Sequence, residues 1–439
     1  MYLSYVRASK LPGTLEYVKQ PPNDRPTVAR DPRIVERVSE ILLGIETGGL
    51  DAVLRFAREL DGWEQPWIEL GREAIAHSAA QLPAEIRSAL DLGLGRTQTF
   101  AFAQKAHLTD FETELAPGVF AGQRYIPVDR VGAYLPGGRF PILASAFMTI
   151  GVAKAAGVGT VLACTPPGPS GTPDPAILYA AQIAGADRVF VLGGVQALAA
   201  LAFGLLGEDP VDMIVGAGNA YVTEAKRQLF GRVAIDLLAG PSEVAIIADD
   251  SADVQTVASD LLGQAEHGPE SPAALVTTSR EFAEAVVTEV DRQLETLKTR
   301  DIAGVAWRDF GIVALVPDPE TAATLMDQLA PEHLELQTSD DDFYFDRLRN
   351  YGTIFVGPWS TVAYSDKGMG GTNHTLPTAT GARHSAGLSV ARFLRPLTHL
   401  RVERESTRLL ADAVESISEY EGMAAHRETA ALRIAKVDH

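Results

Sequence analysis

The alternation of short apolar runs with helical patterns, which starts near residue 130, most constrains the fold of this chain. Four runs are rich in β-branched and apolar residues and end in glycine or proline: RVGAYLPGG, GTVLACTPP, RVFVLGG and DMIVGAG. Such runs are typical of parallel strands that are buried on both faces. The segments between them have helical periodicity, so we expect an α/β layered domain.

The same alternation begins again after residue 242. Five more strands are predicted by the runs VAIIADD, AALVTTS, GIVALVPD, HLELQTS and GTIFVGP, with helical patterns near 252–267, 280–297, 318–330 and 342–350. Two doubly wound modules in series are therefore predicted. The chain before residue 130 is mostly helical and charged in pattern, and residues 387–439 predict a helical tail.

Charge and composition exclude several classes of protein. The formal net charge of −19 over 439 residues argues against binding nucleic acid or an anionic membrane through bulk charge. The N-terminal segment lacks an apolar core of signal-peptide length, and the longest apolar stretch is interrupted by Lys154, glycines and prolines. Cys164 is the single cysteine, so no internal disulfide forms, and we expect it to be a buried strand residue. A soluble cytoplasmic protein is expected.

Three glycine-rich segments follow predicted strands of the first module: YLPGG at 134–138, LGGVQA at 192–197 and VGAGNAY at 215–221. Ligands of open α/β sheets bind at the carboxyl ends of the strands, where glycine lets the backbone approach a phosphate. The dinucleotide fingerprint is incomplete, because Tyr221 stands where a third glycine is usual. NAD, another nucleotide, and tight turns without a ligand are all compatible with these segments.

Two polar clusters stand at the ends of predicted elements. Gln264 and His267, in DLLGQAEHGPES at 260–271, are three residues apart and so share one face of a helix. An imidazole beside an oxygen donor can bind a divalent metal, although the same pair is common at a polar helix end. Glu332 and His333, in PEHLEL, directly precede a predicted strand, which suits general acid–base chemistry or an ordinary surface turn.

A third cluster lies in the segment YSDKGMGGTNHTLPT at 364–378. It combines Asp366, Lys367 and His374 with three glycines, a composition too rich in glycine for a strand. Ionisable groups on a loop of this kind are typical of a functional site rather than of packing.

Six motifs of the chain resemble the histidinol dehydrogenase family in order and approximate spacing, over residues 30–430. They are YLPGG, GAGNAYVTEAKR, LAGPSE, QAEHGPES, PEHLEL and GTNHTLPT. The resemblance implies NAD⁺-dependent oxidation of a primary alcohol through an aldehyde to a carboxylate, with two NAD⁺ and one zinc ion per subunit. It also implies two incomplete Rossmann-like domains in an intertwined homodimer.

The resemblance assigns roles by position. The implied zinc ligands are Gln264, His267, Asp366 and, from the partner subunit, His426. The implied acid–base pair is Glu332 and His333, and the implied nicotinamide-site residues are Tyr134, Gln196 and Asn219. The zinc ligands and Glu332 also line the implied substrate site, together with Ser242, His374 and Glu421, and Lys367 is a further expected substrate contact. The implied divisions are an arm at 1–29, a metal-site domain at 30–133 plus 243–386, an NAD-site domain at 134–242, and a tail at 387–439 that contributes to the partner.

Two departures from the family pattern bear on the substrate. Lys367 replaces an aromatic residue that is typical of the biosynthetic enzymes, and the segment YLPGGRFPILASAFMT is shorter than in them. Both features resemble the sulfopropanediol dehydrogenase branch, whose substrate is an anionic diol. Tyr125 and Phe147, however, stand where that branch has histidines, and Glu421 suits an ammonium group. L-histidinol or a related amino alcohol is the first expectation, and a small anionic diol is the alternative.

Two further alternatives stay open. The spacing between Asp366 and GTNH exceeds the family pattern by one residue, so that a neighbour of Asp366 is an alternative ligand. A non-catalytic relative is a separate alternative, which the presence of every expected polar group argues against.

Overall fold

The computed structural model describes residues 7–22, 31–65, 68–137, 140–168, 171–207 and 209–437. Within them, two mainly parallel six-stranded sheets and one antiparallel three-stranded sheet are packed with helices. All nine apolar runs that predict strands contain a strand, and the predicted α/β class is confirmed. Part of the expected arm at 1–29 lies outside the described residues.

The strands, in chain order, have these bounds: β1 Glu16–Lys19, β2 Glu69–Leu70, β3 Phe111–Ala116, β4 Val119–Pro127, β5 Arg130–Tyr134, β6 Thr160–Thr165, β7 Arg188–Val191, β8 Met213–Val215, β9 Ala234–Ile235, β10 Val244–Ala248, β11 Ala273–Thr277, β12 Gly311–Leu315, β13 His333–Gln337, β14 Thr353–Val356 and β15 Leu394–Val402.

The α-helices have these bounds: α1 Pro32–Asp61, α2 Arg72–Ala80, α3 Ala84–Ala106, α4 Val152–Ala156, α5 Pro175–Ala184, α6 Gly194–Phe203, α7 Ala220–Leu229, α8 Val254–Ala265, α9 Arg280–Leu294, α10 Arg300–Phe310, α11 Pro319–Leu329, α12 Asp341–Arg347, α13 Val362–Asp366, α14 Thr407–Tyr420 and α15 Ala424–Val437. A π-helical turn at Phe147–Gly151 runs directly into α4.

Each six-stranded sheet has a parallel centre and one antiparallel edge strand. The first sheet has the order β2-β7-β6-β5-β8-β9, and the second has the order β1-β12-β11-β10-β13-β14. The central strands are apolar and buried along their whole length, as in β10 and β11. Helices cover both faces, and Cys164 lies buried in β6 as expected.

Helix boundaries follow local capping chemistry. Three helices, α1, α5 and α11, begin with proline after an aspartate whose side chain accepts a backbone N–H of the first turn. Proline is tolerated there because the first N–H groups of a helix have no intrahelical partner. Glycine in the left-handed conformation ends α1, α4, α5 and α6, where an L side chain would be strained.

Elements from the chain before residue 130 pack on the first sheet. Helix α1 packs against α6 and α7, α2 packs against α5, and β2 pairs with β7. The tail is not wholly helical, because β15 pairs antiparallel with β4. No helix in the described parts of the chain is long and apolar enough to cross a membrane.

Candidate functional site

The three expected nicotinamide-site residues lie at the carboxyl edge of the first sheet. Tyr134 ends β5, Gln196 lies in the first turn of α6 after β7, and Asn219 caps α7 after β8. The Asn219 side chain accepts from the N–H groups of Tyr221 at 3.0 Å and Val222 at 3.2 Å. This edge is where the strand pattern predicts a ligand.

Asp61 is a member of this cluster that the sequence patterns do not reveal. Its carboxylate accepts from the Gly193 N–H and from Gln196 Nε2, both at 2.8 Å. The amide of Gln196 is thereby oriented, and its Oε1 is buried without a hydrogen-bond partner among the described residues. Tyr134 Oη accepts from the Gly194 N–H at 3.2 Å, and burial raises the pKa of Tyr134 to about 12. The unpaired Gln196 Oε1 is a buried acceptor, and it fits a donor such as a carboxamide N–H.

The loop after β8 turns at Gly216 in a backbone conformation that requires glycine. Its φ is +119°, and a Cβ there would lie 2.1 Å from the carbonyl oxygen of Tyr134. The Gly216 N–H donates to Asp236 Oδ2 at 2.7 Å, and its carbonyl accepts from Lys226 Nζ at 2.9 Å. Lys226 and Asp236 form a buried ion pair beneath the loop. The turn is therefore held at both the N–H and the carbonyl of Gly216.

The expected acid–base pair lies at the amino edge of the second sheet. His333 is the first residue of β13, and Val244, the first residue of β10, stands opposite it. Chain direction into β13 is set by Ala330, which ends α11 in the left-handed conformation with φ 46° and is fully buried. Glu332 Oε2 accepts from the Glu243 N–H at 2.9 Å. The site residues of this module thus approach from the opposite strand end to those of the first module.

Hydrogen bonds define the state of His333. Its Nδ1 lies 3.0 Å from the Glu243 carbonyl oxygen, so Nδ1 carries the hydrogen in the neutral ring. Its Nε2 is then an acceptor, and it is buried without a hydrogen-bond partner in the described structure. Burial lowers the pKa of His333, while the charge of Asp366 opposes that shift. The result is a neutral imidazole with one free nitrogen, which is the form a general base needs.

The pKa of Glu332 is shifted in the opposite direction to that of His333. Burial raises the pKa of Glu332 well above its ordinary value, and the nearby charges of Glu243 and Asp366 add to the rise. Hydrogen bonds from the Glu243 N–H and the Ser242 side chain oppose it. A carboxyl group whose pKa is perturbed in this way is typical of groups that exchange protons at functional sites.

Three of the expected metal ligands lie together on α8, the turn after it and α13. Gln264 Nε2 is 3.5 Å from His267 Nδ1, and His267 Nε2 is 3.2 Å from Asp366 Oδ2. Asp366 Oδ1 is in turn 4.0 Å from His333 Nε2. Gln264 Oε1 is buried without a hydrogen-bond partner among the described residues. These side chains therefore link the metal-ligand candidates to the acid–base pair.

The donor set fits a zinc ion only in part within one chain. No group of three or more His, Cys, Asp or Glu side chains in the described residues is arranged to hold a metal. The chain offers one imidazole, one carboxylate and the unpaired amide oxygen of Gln264, and imidazole and carboxylate are ordinary zinc donors. The missing fourth donor is what the family resemblance assigns to a partner subunit.

The structure does not bring His426 and Glu421 to this cluster. His426 lies on α15 and Glu421 directly follows α14, and both side chains are exposed. The two helices pack on each other, and few of their residues are buried.

The loop at 366–378 joins the two modules. His374 Nε2 lies 3.3 Å from Ser145 Oγ, and Asn373 Nδ2 donates to the Met148 carbonyl at 2.9 Å, in and beside the π-helical turn. The Lys367 side chain is exposed. Burial lowers the pKa of His374, Asp366 opposes that shift, and the positive charge of Lys367 lowers it further. Lys367 has the same effect on the pKa of His267, so its charge acts on the cluster.

Glu332→Gln is expected to stabilise the metal-free protein at neutral pH. The folded pKa of Glu332 is raised by burial, so the ionised acid is disfavoured in the folded state above the unfolded pKa, which is about 4.3. Wild type regains this stability as pH falls below the folded pKa, and the difference between the proteins should vanish only below the unfolded pKa. Urea unfolding of both proteins across this pH range measures it. Glu281→Gln, at an exposed position on α9, serves as the control and should show no such trend; a pH-independent difference for Glu332→Gln would contradict the prediction.

Comparisons with known proteins agree with this architecture. The family model described as histidinol dehydrogenase matches residues 24–434. A histidinol dehydrogenase homolog of Shouchella clausii is 44% identical over 421 residues, covering 96% of this chain and 99% of the relative. The sulfopropanediol 3-dehydrogenase of Ruegeria pomeroyi is 44% identical over 425 residues, covering 96% and 97%. The crystal structure of histidinol dehydrogenase from Elizabethkingia anophelis aligns with TM-score 0.88 at 30% identity, covering 93% of this chain and 94% of that one.

The α/β fold and the matched relatives define an NAD-dependent oxidoreductase that acts on a small molecule. Its chemistry is the oxidation of an alcohol to an acid. Within that class, the chain belongs to the histidinol dehydrogenase family.

Proposed function

We propose that the protein is a zinc-dependent dehydrogenase that oxidises a small primary alcohol bearing an anionic group to the carboxylate, with reduction of two NAD⁺. The observation that carries the substrate class is the charge of Lys367, which acts on both His267 and His374 at the edge of the cluster. At about 6 Å, opposite unit charges attract by roughly 3 kcal/mol at the effective dielectric of a protein surface. A cationic amino alcohol would meet repulsion there.

The metal ligands in this proposal are Gln264, His267 and Asp366, completed by His426 of a second subunit. Their mutual distances and the unpaired Gln264 Oε1 support this set. A zinc ion bound there would hold and polarise the substrate oxygen. Exposed apolar side chains along the tail, such as Leu400, Ile417 and Tyr420, support a homodimer in which the tail packs on a partner.

The first oxidation needs a base at the hydroxyl group. His333 Nε2 accepts the hydroxyl proton while the carbinol carbon transfers hydride to NAD⁺, which gives the aldehyde and NADH. The hydrogen bond from Nδ1 to the Glu243 carbonyl stabilises the imidazolium that forms. Tyr134, Gln196 and Asn219 orient the nicotinamide in this scheme.

The second oxidation needs water. Glu332 removes a proton from the water that adds to the aldehyde, and its raised pKa makes it a stronger base than an ordinary carboxylate. His333 first releases the proton of the first oxidation to solvent. The hydrate anion formed with Glu332 as base then loses hydride to a second NAD⁺ and its remaining hydroxyl proton to the neutral His333, which leaves the carboxylate. Ser242 and the Glu243 N–H hold Glu332 in place throughout.

The stoichiometry of NADH tests the proposal. Zinc-loaded protein is supplied with limiting 2,3-dihydroxypropanesulfonate or limiting L-histidinol, and NADH formed per substrate is measured. Two NADH per sulfonate, with slow or absent turnover of histidinol, is the expected result. Two NADH from histidinol alone would make Glu421 the counter-charge for an ammonium group and would overturn the assignment to an anionic substrate. Turnover with one NADH per substrate would show that the protein does not carry out the second oxidation.

Lys367→Met should lower kcat/KM for an anionic alcohol by roughly 5- to 30-fold, which corresponds to about 1–2 kcal/mol of lost attraction. A neutral diol of the same length should be affected less than about twofold, because it has no charge to lose. Steady-state kinetics on both substrates at low salt measures the difference. Lys367→Arg retains the charge and is the matched control. Equal losses of kcat/KM for the neutral and anionic alcohols would show that Lys367 does not interact with the charge of the substrate.

A further inference from the structure

A pair of acids, the half-buried Asp260 and the buried Glu335, touches the helices and the strand that carry the proposed metal ligands and base. Asp260 lies on α8, four residues before Gln264. Glu335 lies on β13, two residues after His333, and is 1% exposed. Neither acid belongs to the chemistry described above.

Hydrogen bonds join this acid pair to the start of α13. Asp260 Oδ1 accepts from Thr361 Oγ1 at 3.0 Å, and Glu335 Oε1 accepts from the Val362 N–H at 3.0 Å. Gln337 Nε2 lies between the two acids, 2.8 Å from Asp260 Oδ2 and 3.3 Å from Glu335 Oε2. The acids therefore bind the first turn of the short helix whose last residue is Asp366.

Burial raises the pKa of Asp260 and, well above its ordinary value, the pKa of Glu335, and the charge of Asp260 raises the pKa of Glu335 further. Protonation of Glu335 is therefore favoured, and a protonated Glu335 can still accept from the Val362 N–H. Two ionised acids in contact at a buried position would repel each other instead.

We propose that Asp260 and Glu335, bridged by Gln337, are positioning residues that hold α8, β13 and α13 at the spacing the metal site needs. Helix α13 has only five residues and lacks the length to keep a direction by itself. A displacement of its first turn moves Asp366 relative to His267. In other metal proteins, mutation of residues that orient the metal ligands weakens metal binding by about 10- to 100-fold. The inference rests on the proposed function, because it assumes that Asp366 and His267 hold the metal.

Two substitutions at one position separate positioning from size. Glu335→Leu fills similar space but removes the acceptors for the Val362 N–H and for Gln337 Nε2. Glu335→Gln keeps an oxygen that accepts from Val362 and a polar group beside Asp260. Zinc affinity of each metal-stripped, full-length protein is measured by competition with a chromophoric chelator. We expect Glu335→Leu to lose at least about 10-fold and Glu335→Gln to stay within about threefold of wild type.

The visible absorption of the cobalt-substituted proteins gives a second readout that stability alone does not move. Ligand geometry determines this spectrum, so Glu335→Leu should change it and Glu335→Gln should not. Val290→Ala removes buried volume from α9 of the same module and serves as the stability-matched control. It should lower the unfolding free energy while zinc affinity and the cobalt spectrum stay as in wild type.

Several outcomes overturn the inference. Wild-type zinc affinity and spectrum in Glu335→Leu would do so, as would equal impairment of Glu335→Gln and Glu335→Leu. If Glu335→Leu does not fold, Thr361→Val removes the hydroxyl bond to Asp260 together with the longer cap bond from the Ala363 N–H at 3.4 Å. Unchanged zinc affinity in that variant is then decisive against the proposal. His267→Ala distinguishes a failure of the proposed metal site from a failure of the positioning role. If it leaves zinc affinity intact, the proposed metal site itself is wrong; if it abolishes binding while Glu335→Leu does not, only the positioning role fails.

Discussion

His333→Asn should lower kcat by roughly 10²- to 10⁴-fold, which is the range that a positioned general base contributes. Asparagine can keep a donor near the Glu243 carbonyl, but it offers no basic nitrogen at the position of Nε2. Because His333 is not among the proposed metal ligands, zinc affinity should remain within a few-fold of wild type. Single-turnover formation of NADH, with zinc bound, measures the loss directly at the hydride step.

The matched control for this substitution is His77→Asn, on the exposed surface of α2. It should turn over like wild type, which shows that a histidine-to-asparagine change is harmless away from the site. If His333→Asn turned over as fast as His77→Asn, His333 would have no part in proton transfer. A variant that lost zinc together with activity would instead make His333 a ligand.

Gly216→Ala is expected to lower the unfolding free energy by about 2–5 kcal/mol. An alanine at φ +119° is strained by about 1–2 kcal/mol, and overpacking against fixed atoms adds about 1–3 kcal/mol. The Tyr134 carbonyl has little room to move aside, because Tyr134 pairs with Cys164 of β6 and the preceding Ala133 pairs with Val215 of β8. Denaturant unfolding monitored by fluorescence measures the loss. Any folded fraction should also bind NAD⁺ more weakly, since the loop lies between Tyr134 and Asn219.

Gly231→Ala isolates the backbone strain from the collision. Gly231 also has a positive φ, +101°, but a Cβ there meets no atom within 4 Å. Its variant should lose only about 1–2 kcal/mol and should bind NAD⁺ normally. Similar losses at both positions would mean that the loop yields at Gly216 and that the close approach to Tyr134 is not rigid.

Local patterns predict the core of both sheets well, because each central strand is a short apolar run that ends in a glycine, proline or polar turn. The strand β15 is missed for the opposite reason. Its middle residues are nearly all exposed, so no side of it shows the alternation that a half-buried strand has. The residues of α1 to α3 are correctly helical in pattern, but periodicity does not say which sheet a helix covers.

The site residues likewise divide into those that local sequence patterns predict and those that they do not. His267, Glu332 and His333 are predicted from short segments because each polar group stands beside its partner in the chain. Asp61 is not predicted, because it meets Gln196 from 135 residues away. Asp260 and Gln337 are 77 residues apart, and both read as ordinary polar residues on a helix and a strand. Contacts made only by the tertiary fold leave no local trace in the sequence.

Ala330 has a consequence for how this enzyme can change over time. It is not glycine, yet it holds a left-handed backbone in a fully buried position three residues before His333. Such a residue carries a strain of about 1–3 kcal/mol, which is a large share of the marginal stability of most proteins. Selection for thermal robustness alone would therefore act against the alanine, whereas selection for turnover would act on the direction in which the chain reaches His333. Thermal stability and turnover therefore place opposing demands on the residue at position 330. Relatives adapted to high temperature and relatives adapted to fast turnover would be expected to differ at this position.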